Sequence, residues 1–144
     1  MKGQKAYFLA QAINEKLYQG YSKLEKKELY EKYFRLIRKS AYSGYVDGLY
    51  DFAQQYENMS FLGAENPLYN PKKCVFWYTK ACDKGHAEAC NNLATFYEKG
   101  EGCKQNLSFA LALYKRSADL GSPNGKKNYK IMVRDLAKGG KYNK

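Results

Sequence analysis

Small and large apolar side chains recur at helical spacing around three glycines, Gly44, Gly85 and Gly121. Four and three positions before each stand Ser40-Ala41, Ala81-Cys82 and Ser117-Ala118. Seven before are Ile37, Tyr78 and Tyr114, and eleven before are Tyr33, Cys74 and Ala110. These offsets place each set on one face of a helix. After the glycines a second stripe follows: Gly48, Ala89 and Gly125, then Phe52, Leu93 and Tyr129, then Tyr56, Tyr97 and Val133. The pattern predicts a unit of helix A, a tight glycine turn and an antiparallel helix B. Small residues near the turn let the two backbones approach, and larger ones fill the widening gap beyond.

Helix starts are marked as well. Asn70-Pro71 offers an Asn cap with Pro at the first helical position, and Asn106 takes the same place one unit later. Ser22 and Glu25 have the spacing of a capping box. The run Ala6-Leu9-Ile13-Leu17 resembles a helix B without its partner. Seven helices are expected, near 4–18, 23–42, 45–58, 71–84, 86–99, 107–120 and 123–137. The fold class is all-α, a short α-solenoid of antiparallel helix pairs forming one domain over 1–144. It divides into a half-repeat (4–20), three repeats (23–58, 71–102, 107–137) and a basic tail (138–144), with extra residues in 59–70 lengthening the interval from Gly44 to Gly85.

The segment from Trp77-Tyr78-Thr79-Lys80-Ala81-Cys82 through Gly85 and Ala89, then Asn92-Leu93-Ala94 and Tyr97 to Gly102, resembles the Sel-one-like repeat, a relative of the tetratricopeptide repeat. The resemblance is strong over 74–121 and degraded over 33–58 and 121–133. It implies a binding scaffold and leaves the partner open. A secreted, cysteine-rich bacterial branch of that family bridges its hairpins at the separation of Cys82 and Cys90. The resemblance therefore implies a disulfide there, against the alternative of two buried thiols in a reducing cytoplasm. Cys74 and Cys103 replace Ala and Val of the repeat and are expected in the core.

Composition supports a folded helical chain: 44% of residues are hydrophobic and only three are proline. Lys and Arg outnumber Asp and Glu 25 to 14, and the excess sits at the two ends of the sequence, which favours acidic partners. No apolar run approaches the ~20 residues of a membrane span, and residues 1–17 lack a signal-peptide core. The chain as written reads as cytoplasmic, or as periplasmic or secreted if a signal has been removed. There is no metal spacing, phosphate loop or catalytic set, so neither a metal, a cofactor nor an enzymatic activity is expected. His86, the only histidine, reads as a surface turn residue.

Helix A positions nine, six and five before each glycine lie opposite the buried stripe. They give Arg35, Phe76 and Ala112, then Arg38, Thr79 and Lys115, then Lys39, Lys80 and Arg116. In a solenoid this arc lines the concave surface. The expected partner-binding residues are Arg35, Arg38, Lys39, Phe76, Lys80, Lys115 and Arg116, with Phe76 as an apolar anchor among cations. The expected function is a module for an acidic protein partner. A toxin-neutralising immunity-type protein and a nucleic-acid-binding helical repeat are the alternatives.

Overall fold

The computed structural model describes residues 1–58 and 66–139. Among them are seven helices: α1 (Gln4–Leu17), α2 (Lys23–Tyr42), α3 (Val46–Gln54), α4 (Pro71–Asp83), α5 (Ala87–Lys99), α6 (Leu107–Asp119) and α7 (Pro123–Lys138). They fall into two compact units, Met1–Tyr69 with α1 to α3 and Asn70–Lys144 with α4 to α7.

In unit 1, α2 packs against both α1 and α3. In unit 2, α4 pairs with α5, α5 with α6 and α6 with α7. The three A–B turns share one hydrogen-bond scheme. Gly44, Gly85 and Gly121 donate to Ala41, Cys82 and Ala118, while the next residues, Tyr45, His86 and Ser122, donate to Ser40, Ala81 and Ser117. These are Schellman closures, which need a left-handed residue, and the glycines have φ of 80°, 87° and 100°. With so short a connection, the paired helices run antiparallel.

The expected starts are present. Ser22 and Glu25 form the capping box, and the side chains of Asn70 and Asn106 accept from Lys73 and Phe109. His86 does more than occupy a turn: its Nδ1 accepts the Ala89 amide at 3.1 Å and caps α5. The small-residue columns are buried, with Ser40, Ala41, Ala81, Cys82 and Ser117 against Gly48, Ala89 and Gly125.

Several expectations need correction. In α1 the core stripe is Ala6-Ala10-Ile13-Leu17, and Leu9 faces solvent. Helix α3 ends four residues early, because Gln55, Tyr56 and Glu57 switch to i→i−3 bonds. The Asn66 side chain then donates to the carbonyls of Gln55 and Glu57 at 2.8 and 2.7 Å. In α7 the buried residue after Gly125 is Met132, 1% exposed, whereas Val133 is 42% exposed. Tyr97, Ala118 and Tyr129 are half-buried. Cys74 is in the core as expected, but Cys103 is half-buried, its thiol 3.6 Å from the Phe96 carbonyl. Of the basic tail, Lys138 belongs to α7 and Gly139 caps it, while 140–144 and the added residues 59–65 lie outside the described residues.

Candidate functional site: the outward faces of the A helices

In α4 the core stripe of Cys74, Trp77, Tyr78 and Ala81 fixes the helix rotation, and the opposite arc carries Phe76 and Lys80. Phe76 is 53% exposed. Its ring meets the edge of Trp77 at 4.9 Å between centroids, and the Lys80 ammonium sits 5.0 Å above its centre. A cation over an aromatic face is attracted by the ring quadrupole, by about 0.5–1 kcal/mol at an exposed site. Ring and charge are thus held as one feature instead of two free side chains.

On α6 of the same unit, Lys115 and Arg116 are exposed. Lys115 pairs with Asp119 at 3.1 Å, while the Arg116 guanidinium reaches back to the Asp83 carbonyl at the end of α4, at 3.5 Å. Arg116 therefore sits beside the last turn of the helix that presents Phe76 and Lys80. In unit 1, Arg35, Arg38 and Lys39 all point outward from α2, and the Arg38 guanidinium lies 5.1 Å from the Tyr42 ring centre. Together with Tyr42 these three line an open hollow of about 370 Å³.

A larger hollow in unit 1, about 840 Å³, was not foreseen from sequence. Tyr18, Tyr30 and Phe34 line it along with the amides of Asn14, Gln54 and Gln55. Tyr30 donates to Gln55 Oε1 at 3.1 Å, so part of its wall is a fixed amide–phenol pair, and burial pushes the Tyr30 phenol up to about 12. The chain's high tyrosine content was the available signal, but these rings have no common period.

A half-buried carboxylate also escaped the pattern. Asp51 on α3 accepts from Gln11 Nε2 of α1 at 2.7 Å. Burial pushes its pKa up to about 6, the nearby charge of Asp47 adds to this, and the Gln11 bond opposes it. Tyr7, partly buried and close to Asp51 and Asp47, is pushed up to about 12.

Cys82 and Cys90 form a disulfide across the α4–α5 turn, with Cα atoms 4.7 Å apart, and Cys74 and Cys103 take no part in a disulfide among the described residues. The bond closes a loop of about nine residues, for which chain entropy gives about 2–3 kcal/mol. Reduction, or Cys82→Ala with Cys90→Ala, is expected to lower the stability of unit 2 by that amount. Non-reducing mass spectrometry should show one intramolecular link, unaffected by Cys74→Ala or Cys103→Ala. Among the described residues no group of acidic, His or Cys side chains is placed to hold a metal ion, and no helix is long and apolar enough to cross a membrane.

Residues 58–86 and 87–122 match the family model for the Sel1 repeat. Among solved structures, a Sel1 repeat protein from Oxalobacter formigenes is 19% identical with a TM-score of 0.70, over 90% of this chain and 48% of that one. Helicobacter pylori cysteine rich protein B is 22% identical with a TM-score of 0.59, over 67% and 69%. A protective antigen of uropathogenic Escherichia coli that displays an SLR fold is 24% identical with a TM-score of 0.59, over 83% and 27%. The chain spans about half the length of the Oxalobacter protein and about a quarter of the Escherichia coli one. No curated protein matches the sequence. Sel1 repeats generally serve as non-enzymatic modules of protein–protein interaction. The sequence match identifies residues 58–122 as Sel1 repeats, and the helical-repeat fold of the chain is the one seen in these solved Sel1 and SLR proteins.

Proposed function

We propose that the outward faces of the A helices dock an acidic protein partner, with Phe76 as the apolar anchor. The carrying observation is the Phe76 ring, 53% exposed on the polar arc of α4 with the Lys80 ammonium over it. An apolar ring of that size gains little on a solvated surface, and burial against a partner is where it contributes. Lys80, Lys115 and Arg116 in unit 2, and Arg35, Arg38 and Lys39 in unit 1, supply the charge that selects acidic surfaces and speeds encounter. Phosphate-backbone binding would instead spread its losses over many cations, with steep salt dependence.

The partner is to be captured from the native cell and titrated at two salt concentrations. Replacing Lys80, Lys115 and Arg116 by Ala should slow association severalfold at low salt and matter little at high salt. A triple variant that associates at the wild-type rate at low salt would remove the acidic-partner reading. The same recovery reports the compartment. A closed Cys82–Cys90 bond in freshly trapped protein assigns an oxidising space, periplasmic or extracellular, and two free thiols assign the cytoplasm.

A further inference from the structure

We infer that the hollow on α2 is a site for a phosphate monoester, presented as a phosphorylated side chain of a protein partner. The inference deepens the docking proposal for unit 1 and rests on it. Arg35, Arg38, Lys39 and Tyr42 stand at i, i+3, i+4 and i+7, so they share an arc of about 100° on a helix of 3.6 residues per turn. Between them they enclose the open hollow of about 370 Å³. That is more than a bare phosphate fills, so the hollow has room for the atoms that carry the group.

Charge sets the ligand. None of the three cations makes an ion pair or a side-chain hydrogen bond among the described residues. Two exposed acids share this face, Glu31 one turn before Arg35 and Glu28 two turns before it. Three cations against the nearer carboxylate, Glu31, leave a local surplus of positive charge, and their mutual repulsion falls when a dianion enters. A phosphate monoester carries about −1.5 to −2 at neutral pH and three acceptor oxygens, whereas a carboxylate carries −1 and two. Two guanidiniums and an ammonium offer planar forks and single donors enough for all three oxygens. The Arg38 guanidinium, 5.1 Å from the Tyr42 ring centre, is already restricted in its rotamers before any ligand arrives. Tyr42 is 66% exposed and is the only large ring lining the hollow. A membrane-inserting helix needs a full apolar face, and α2 spends its own on α1 and α3, so a soluble carrier is favoured over a lipid headgroup.

The test uses the whole chain and three labelled peptides of one neutral sequence, carrying phosphoserine, Glu or Ser at the centre, together with vesicles containing phosphatidic acid. Fluorescence anisotropy should show the phosphoserine peptide binding at least tenfold tighter than the Glu peptide, with the Ser peptide weaker still. Arg35→Gln with Arg38→Gln should lose at least tenfold, while Lys115→Gln with Arg116→Gln and Phe76→Ala leave the affinity unchanged. Equal binding of the phosphoserine and Glu peptides would overturn the inference, as would equal losses at α2 and α6 or a preference for the vesicles. Each of these leaves the docking proposal standing if the partner still depends on Phe76. A partner indifferent to Phe76→Ala, with the phosphoserine peptide still bound at α2, would mark the opposite failure.

Discussion

Gly102→Ala is expected to destabilise unit 2 by about 3–5 kcal/mol. Gly102 lies in the loop after α5 with φ of 67°, a left-handed conformation that costs a residue with a Cβ about 1–2 kcal/mol. Space adds the larger part. A Cβ there would collide with the backbone carbonyl group of Pro71 and lie 2.7 Å from the Lys72 amide nitrogen. These atoms form the first turn of α4, which cannot swing aside without disturbing the Asn70 cap and the helix that presents Phe76. Gly85 is the internal control. Its φ is 87°, but a Cβ would meet nothing within 4 Å, so Gly85→Ala should cost only the conformational strain, about 1–2 kcal/mol. Thermal unfolding followed by Trp77, buried in unit 2, separates the two. Equal losses at Gly102 and Gly85 would show that the loop does not press on α4.

Asp51→Asn should act in the opposite direction, stabilising unit 1 at pH 7.5 by about 2–3 kcal/mol. The pKa of Asp51 is raised from 3.8 to about 6, so the folded chain holds this proton more tightly than the unfolded chain does. A raised pKa contributes stability that is fully present below the unfolded value and is lost as pH rises through the folded one. The window is therefore pH 4 to 6, and at 7.5 the ionised carboxylate stays half-buried with Gln11 as its hydrogen-bond donor. An amide at 51 keeps an acceptor for Gln11 and removes the charge. At about 1.4 kcal/mol per pH unit, the gain over the wild type should shrink as pH falls and vanish near pH 4. Amide hydrogen exchange across α1 to α3 measures this locally. A less stable Asp51→Asn protein at pH 7.5 would mean that the carboxylate has a favourable partner as an anion.

The A–B hairpins were legible because backbone proximity leaves a strong mark. Only Gly, Ala, Ser or Cys fits where Ser40 meets Gly48, Ala81 meets Ala89 and Ser117 meets Gly125. At Gly48 and Gly125 a Cβ would overlap the facing serine hydroxyl. The turn glycines left a second mark through their left-handed φ. The facing of α4 was equally legible, since a stripe of Cys74, Tyr78 and Ala81 leaves Phe76 one direction in which to point. Less legible was α7, which packs against α6 and α5 with a seam that runs from Gly125 to Met132, seven residues on, where the repeat spacing pointed to Tyr129 and Val133, four and eight on. The 840 Å³ hollow and Asp51 were not legible at all. Both arise where α1 meets α2 and α3, and no period in the sequence records that meeting. Cys103 missed the core for a related reason: its loop follows the left-handed Gly100 and Gly102, outside any helical stripe.

The central claim is that Phe76 is held outside the core to bind a partner, and Phe76→Ala measured two ways tests it most directly. Thermal unfolding should be nearly unchanged, because the ring is over half exposed and off the buried stripe of α4. Titration against the captured partner should show a loss of about 2 kcal/mol or more, roughly thirtyfold in affinity. A variant that unfolds, or one that binds its partner as tightly as the wild type, would contradict the account.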